Sequence, residues 1–427
     1  MFESKEKNMN VRLPFGLRDI FPYESSERNA IKKIISGQFQ QWGYGEVKTP
    51  VMEYTENISI GVGKDWKNKL INFIDTDGSL ISLRADMTIP IARLAGMRIK
   101  KDQLPARFCY FSDVFRQSLT QIGNKRVYSQ AGLEFIFSKN QIKAYAEVLI
   151  VLIRTMNALG LSEFKIGLGH IGFIDGLSDW LGLDQVQKER LKKNIVLKDF
   201  VEIENDLNTI DSKKTRLFME LVQPENNIGK ISEAVRKINT ESVSGVFKYL
   251  EELTSILGDQ DYSKYLIFDF SIIRDFDYYT GLLFEVYSPK ITEIIGSGGR
   301  YDSLIRKFGL DVPATGFAID IDLVHSALGD SDLLSGFKVL LSVSECGCCL
   351  KEAIEFADSM RKKGVSVELL FDSIDDEERL AREKNCKMLI KPVKGFSKVG
   401  FLDLESGRSG QYEPKIFIEE LGEWKKN

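Results

Sequence analysis

Apolar positions recur at two periods along this chain, and the switches between them mark its elements. Ile31, Ile34, Ile35 and Phe39 fall at helical spacing, with Gly43 placed to stop the helix. Tyr44–Val51 has strand character, and Pro50 near its end marks an edge or interface strand. NFID and SLISL, on either side of Asp77-Gly78, predict a hairpin across Ile71–Leu83, because the Asp-Gly pair suits a tight turn at positive φ. A helix is predicted from about Thr88 to Gly96, with Pro90 tolerated in its first turn. Ala106–Arg116 and Val127–Phe137 read as long strands joined by a polar loop, hence as an antiparallel pair. The stripe of Ile142, Tyr145, Leu149, Leu152, Met156 and Leu159 predicts a helix closed by Gly160. Phe164–Gly172 follows as a strand with a loop after it.

From about Ile174 to Lys264 the period is helical, glycine is sparse and strand signals disappear. This stretch, about 175–264, is expected to be a helical insertion between two strands of one sheet. Leu266–Ile273 then alternates, with Leu266, Phe268, Phe270 and Ile272 on one face and Asp269 and Ser271 on the other, the period of a half-buried strand. Gly281–Tyr287 and Ile291–Ile295 are expected as strands, GSGGRYD (Gly296–Asp302) as a flexible loop, and Val312–Asp322 as a strand. After a spacer at Leu328–Gly336, residues 337–427 alternate strand and helix, which predicts a small α/β domain with parallel strands. The expected division is therefore 1–330 and 337–427.

Composition narrows the function classes. The 427 residues suffice for two or three domains, and a net charge of −4 argues against a non-specific nucleic-acid binder. No run approaches the ~20 apolar residues that span a bilayer, and the charged N-terminus lacks the apolar core of a signal peptide. The 5 cysteines, an odd count, read as reduced thiols of a cytoplasmic protein. Cys346, Cys348 and Cys349 cluster, but with only His170 and His325 as histidines neither a metal site nor a cofactor is expected.

Candidate chemistry centres on a polar knot between two strand patterns. Arg274, Asp275, Asp277, Tyr278, Tyr279 and Thr280 fall within seven positions. A cation, two carboxylates and two phenols there suit the floor of a pocket for a small zwitterion; a charged surface turn is the alternative. Three further clusters favour the pocket. Arg84, Asp86 and Thr88 follow the hairpin. Arg116 ends one strand, and Gln130 and Glu134 share the parity of Tyr128 and Gly132 on the next. The glycines of GSGGRYD would let backbone approach a ligand closely.

LPFGLRD, the Pro50 strand, LRADMT, FRQ…YSQAGLE, RDFDYYTG, GSGGRYD and PATGFAIDID stand in the order found in class II histidyl-tRNA synthetases. The chain most closely resembles the non-catalytic paralogues of those enzymes that serve as regulatory subunits of ATP phosphoribosyltransferase, from about Leu13 to Leu323 and more weakly beyond. The resemblance implies an α+β fold: a class II aminoacyl-tRNA synthetase-like, six-stranded antiparallel sheet flanked by helices, with a helical insertion and a small C-terminal domain like a degenerate anticodon-binding domain. It implies a dimer formed around Gly43–Val51, a short-form catalytic subunit as partner, and a histidine pocket. In that pocket Asp86 takes the place of a synthetase glutamate, with Thr88 beside it. Gln130 and Glu134 would meet the α-ammonium, Arg274 the carboxylate, and Tyr278 and Tyr279 the side chain. Arg116 stands where the synthetase has its α-phosphate arginine.

Departures from the enzyme pattern separate paralogue from synthetase. The third motif of a synthetase ends Gly-x-Glu-Arg, its arginine on the γ-phosphate; here the residues are Asp320, Ile321, Asp322 and Leu323. Asp275 also replaces a usual glycine. No catalytic residue and no efficient adenylate formation are expected. An active histidyl-tRNA synthetase with an unusual third motif, or a tRNA-binding regulatory paralogue, are the other readings.

Overall fold

The first helix, α1 (Pro22–Gln41), forms where the apolar spacing predicts it, burying Ile31, Ile35 and Phe39. Gly43, at φ +78°, turns the chain out of it. The strand expected across Tyr44–Val51 is instead two short strands in different sheets, β1 (Gly45–Glu46) and β2 (Met52–Tyr54). Pro50 has no N–H to give a ladder, and the buried Arg84 draws the connection off by donating from Nη1 to the Thr49 carbonyl at 3.0 Å and to the Pro50 carbonyl at 3.5 Å. The computed structural model describes residues 12–62, 64–117, 125–258, 261–273, 278–329, 337–344, 350–393 and 395–424. It divides into one unit at Met1–Asp330 and another at Ser331–Asn427.

In the first unit, α2 (Thr55–Gly61) leads to the hairpin β3 (Asn72–Ile74) and β4 (Leu80–Leu83), whose turn holds Gly78 at φ +85°. Then come α3 (Thr88–Arg98), the long antiparallel pair β5 (Ala106–Phe115) and β6 (Val127–Ile136), α4 (Gln141–Ala158) and β7 (Lys165–His170). A loop was expected after β7. A helix begins there instead, because the His170 ring accepts the Gly172 N–H at 3.1 Å through Nδ1 and caps it.

Six helices fill the predicted insertion: α5 (Ile171–Leu181), α6 (Gln185–Val196), α7 (Phe200–Asn208), α8 (Ser212–Val222), α9 (Ile228–Ile238) and α10 (Glu241–Gly258). Asp184, Asp199, Asp211 and Asn227 each accept first-turn N–H groups, so short polar side chains break one long helical pattern into separate helices.

The strand expected at Leu266–Ile273 stops early, as β8 (Leu266–Phe268). Asp269 accepts the Ser271 N–H at 3.0 Å, a local turn that competes with the ladder, and both side chains are buried rather than solvent-facing. β9 (Leu282–Tyr287) follows. Residues 291–295 are not a strand, and the expected glycine loop is one: β10 (Gly296–Arg300). Its glycines serve close packing inside the sheet. A Cβ on Gly298 would stand 2.2 Å from the Gly316 carbonyl and 2.5 Å from the Phe284 ring. α11 (Asp302–Lys307), β11 (Ala314–Asp320) and α12 (Ile321–Leu328) complete the unit.

The main sheet has eight strands in the order β1-β5-β6-β11-β10-β9-β7-β8. Its inner six, β5 to β7, are antiparallel throughout; β1 and β8 add as parallel edges. A separate three-stranded sheet runs β2-β4-β3.

The second unit contains β12 (Lys338–Ser342), α13 (Leu350–Lys362), β13 (Ser366–Leu370), α14 (Glu377–Glu383), β14 (Met388–Val393), β15 (Lys398–Asp403), β16 (Ser409–Tyr412) and α15 (Pro414–Trp424). β13, β12 and β14 are parallel as expected, while β15 and β16 extend the sheet as an antiparallel hairpin. Cys109 and Cys386 are buried free thiols, and the cysteines at 346, 348 and 349 lie outside the described residues. Among the described residues no helix is long and apolar enough to cross a membrane.

Replacing Gly298 by alanine puts a methyl into backbone that cannot yield. The expected loss is about 1–3 kcal/mol, the usual cost of overpacking, read as a lowered urea midpoint of the first unit.

Candidate functional site

Register across the sheet builds a pocket floor. Glu134 on β6 lies beside Gly316 on β11, which lies beside Gly299 on β10. One row along, Gly132, Ala318 and Ser297 stand abreast in the same way. Small residues in both rows leave room above the sheet. A Cβ on Gly316 would fall 1.9 Å from Glu134 Oε2, and one on Gly299 would fall 3.0 Å from the Tyr279 ring. The glycines expected in a flexible loop thus act as a flat floor.

Polar groups converge over it. Tyr278 is buried and its hydroxyl donates to Asp86 Oδ2 at 2.8 Å. Asp86 Oδ1 accepts the Ile89 N–H at 3.2 Å in the first turn of α3. Thr88, at the start of that helix, donates to Glu134 Oε1 at 2.9 Å, and the Tyr301 hydroxyl donates to Glu134 Oε2. Tyr279 packs on Tyr278 with ring centroids 4.7 Å apart. Arg116 donates from Nε to the Ala85 carbonyl at 3.1 Å, and its guanidinium lies 5.3 Å from the Trp66 ring and 5.0 Å from the Tyr128 ring. A cavity of about 50 Å³ remains between these groups, with Gln130 on its wall.

Seven of the eight sequence-predicted residues therefore share one site: Asp86, Thr88, Arg116, Gln130, Glu134, Tyr278 and Tyr279. The eighth, Arg274, lies outside the described residues, as do Asp275 and Asp277. Arg84 does not join them, being turned to the backbone of the β1–β2 connection. Tyr301 was missed as a site residue. It shares the parity of Gly299, so reading GGRYD as a strand would have placed its hydroxyl on the pocket face. His170 stands apart as a helix cap, and burial pulls its pKa down to about 4, so the ring is neutral. His325 Nε2 meets Glu27 at 2.7 Å and ties α12 to α1.

At the end of β11 the two carboxylates of the third motif are engaged within the chain. Asp320 caps α12, accepting from the N–H groups of Asp322 at 2.8 Å and Leu323 at 3.2 Å. Asp322 pairs with Arg28 at 2.6 Å and Lys125 at 3.2 Å.

Two buried carboxylates in one small cavity disfavour their own ionisation. Burial, followed by the hydrogen bonds and the neighbouring Asp86, leaves Glu134 with a pKa of about 8, and burial raises Asp86 as well. The native state thus holds a proton on Glu134 at pH values where the unfolded chain has released it. This contribution to stability is complete below the ordinary glutamate pKa and is lost as pH rises towards 8. Glu134→Gln should flatten that decline, seen as a smaller fall in urea midpoint between mildly acidic pH and pH 8 than in the parent chain.

A histidyl-tRNA synthetase family model matches residues 16–324. The ATP phosphoribosyltransferase regulatory subunit of Halothermothrix orenii is 32% identical over 90% of this chain and 91% of its own. A Bacillus halodurans crystal structure, described as an ATP phosphoribosyltransferase regulatory subunit/histidyl-tRNA synthetase, superposes with a TM-score of 0.75 at 30% identity, covering 88% of this chain and 97% of that one. The histidyl-tRNA synthetase of a Nostoc species shares the fold, with a TM-score of 0.79 at 18% identity over 98% of this chain and 99% of that one. On the match along most of its length, the chain belongs to the histidyl-tRNA synthetase-like family of ATP phosphoribosyltransferase regulatory subunits, which act in histidine biosynthesis.

Proposed function

We propose that this chain is a non-catalytic, histidine-binding regulatory subunit required by a short-form ATP phosphoribosyltransferase catalytic subunit. Together they would join ATP to phosphoribosyl pyrophosphate in the first step of histidine biosynthesis, with feedback control by histidine. A regulatory subunit implies a catalytic partner, and the family supplies that much directly.

The β11–α12 junction carries the non-catalytic reading. An adenylate-forming site needs a cation there for polyphosphate. Leu323 supplies none, and the nearby Arg28 and Lys125 are held by Asp322. Bringing polyphosphate against Asp320 and Asp322 costs several kcal/mol, the scale of like-charge juxtaposition. The tyrosine pocket keeps the chemistry for a free amino acid. Glu134, Asp86 and Gln130 suit an ammonium, the phenols suit an imidazole, and Arg116 and Arg274 suit a carboxylate. An incoming ammonium takes over from the proton that Glu134 otherwise keeps. Histidine-dependent ATP–pyrophosphate exchange by the purified chain should stay at background, also in a Leu323→Arg/Asp320→Gly variant. Adding the chain to a short catalytic subunit should bring up phosphoribosyltransferase activity that histidine lowers. Robust exchange by the chain alone would overturn this reading.

Self-association as a dimer fits the apolar surface beside the expected Gly43–Val51 contact. Met52, Tyr54 and Phe73 share the outer face of the three-stranded sheet and are all exposed. Leu13, Phe15, Leu17 and Phe21, ahead of α1, are exposed too. So many exposed large apolar side chains suit a second copy of the chain better than water. Met52→Glu with Tyr54→Glu should convert dimer to monomer in sedimentation velocity without lowering helix content; a chain that is monomeric before substitution would rule the dimer out.

A further inference from the structure

The face that carries the tyrosine pocket continues to the far end of the sheet. Ser297 of the pocket floor registers with Glu285, and Glu285 registers with Gly167. Gly167 lies in a second cavity, of about 1050 Å³, where β7, β8 and β9 meet the α6–α7 turn and the segment after α8. Nothing in the function described above uses it.

Its lining combines three kinds of group. Phe164 and Tyr265 form one wall, stacked with centroids 4.5 Å apart and planes 8° from parallel, and Phe200 lies in the roof. Asp269 is buried in the floor; Oδ1 is taken by Ser271, and Oδ2 accepts no hydrogen bond from the described residues. Two ammonium groups line the cavity with no ion pair to a carboxylate among the described residues, although Lys198 reaches Asp269 through the Ser271 hydroxyl. Lys198 donates to the Ser271 carbonyl at 3.0 Å and hydroxyl at 2.7 Å, and Lys165 donates to the Lys264 carbonyl at 2.6 Å. Lys264 differs, being paired with Asp261 at 2.6 Å. Lys198 holds its place from a backbone at φ +56°, where α6 ends.

Each group asks for a different feature of one ligand. Lys165, exposed and without a paired carboxylate among the described residues, favours an anion at its end of the groove. A carboxylate oxygen open to the cavity, with no donor among the described residues, favours an N–H. An aromatic wall favours a flat ring stacked on its open face. The volume is at the upper end of small-molecule pockets and far exceeds a single amino acid. We propose that this groove binds a nucleoside monophosphate, its base against the Phe164–Tyr265 wall with N–H groups at Asp269 and its phosphate at Lys165. The site is separate from the amino-acid pocket, so it stands or falls independently of histidine binding.

Equilibrium dialysis of the full chain with labelled AMP tests this, with inorganic phosphate and adenosine as the two part-ligands. Saturable AMP binding is expected, with each part-ligand at least about tenfold weaker, since phosphate and base contacts add. Lys165→Glu, at an exposed position that the fold tolerates, should raise the dissociation constant at least about tenfold, and Asp269→Asn should do likewise while keeping the acceptor for Ser271. Photolabelling with an azido-adenylate should mark peptides containing Phe164 or Tyr265. Absence of saturable AMP binding at millimolar concentration would overturn the proposal. So would AMP binding that is unaffected by Lys165→Glu, or that excess histidine displaces, since either puts the nucleotide elsewhere.

Discussion

A carboxylate under the face of a sheet must be met by donors, give up its charge, or both, and the first unit is built around one that does both. Glu134 receives a hydroxyl from the start of α3 and another from the strand end after β10. Those two donors fix the helix and the strand relative to β6. Asp86 repeats the arrangement one step away, tying α3 to Tyr278. The glycines at 299 and 316 follow from the same constraint, because any side chain there would displace the carboxylate or the tyrosine beside it. Removing water from this cavity is costly for the charged forms, which is why both carboxylates resist ionisation.

The same sheet shows how a catalytic site is retired without unfolding. An aspartate placed where a nucleotide should lie is a liability if it stays unpaired. Here Asp320 is absorbed as a helix cap, and Asp322 as the centre of an ion pair with Arg28 and Lys125. Carboxylates hostile to polyphosphate have become part of the joint between β11, α12 and α1. Restoring an arginine at 323 alone would leave that joint in place.

Most of this was legible in the sequence where one period ran long enough to dominate. The stripe of α4 and the alternation of β5 and β6 emerged as expected, and with them the shared face of Gln130 and Glu134. Local chemistry overrode the pattern elsewhere. Asp269 folded back on Ser271 and ended β8 after three residues. Gly296–Arg300 looked like a loop because glycine lacks strand propensity, yet only glycine lets β9, β10 and β11 lie so close. Tyr301 was hidden by that same misreading. The nucleotide-sized groove left no motif, since its walls come from segments as far apart as Phe164 and Tyr287.

The strand order has a consequence for how the chain acquires its shape. β6 pairs with β11, so Gln130 waits for Asp320, which is translated long after it. The six helices between β7 and β8 are made in the interval, and they leave and rejoin at one edge of the sheet. Pairings this remote in sequence form slowly, because loop closure precedes their reward. Until β9, β10 and β11 are seated, Glu134 has neither Tyr301 nor the glycine floor. The tyrosine-lined pocket is therefore among the last features to mature, and a nascent or truncated chain lacks its floor and half of its donors.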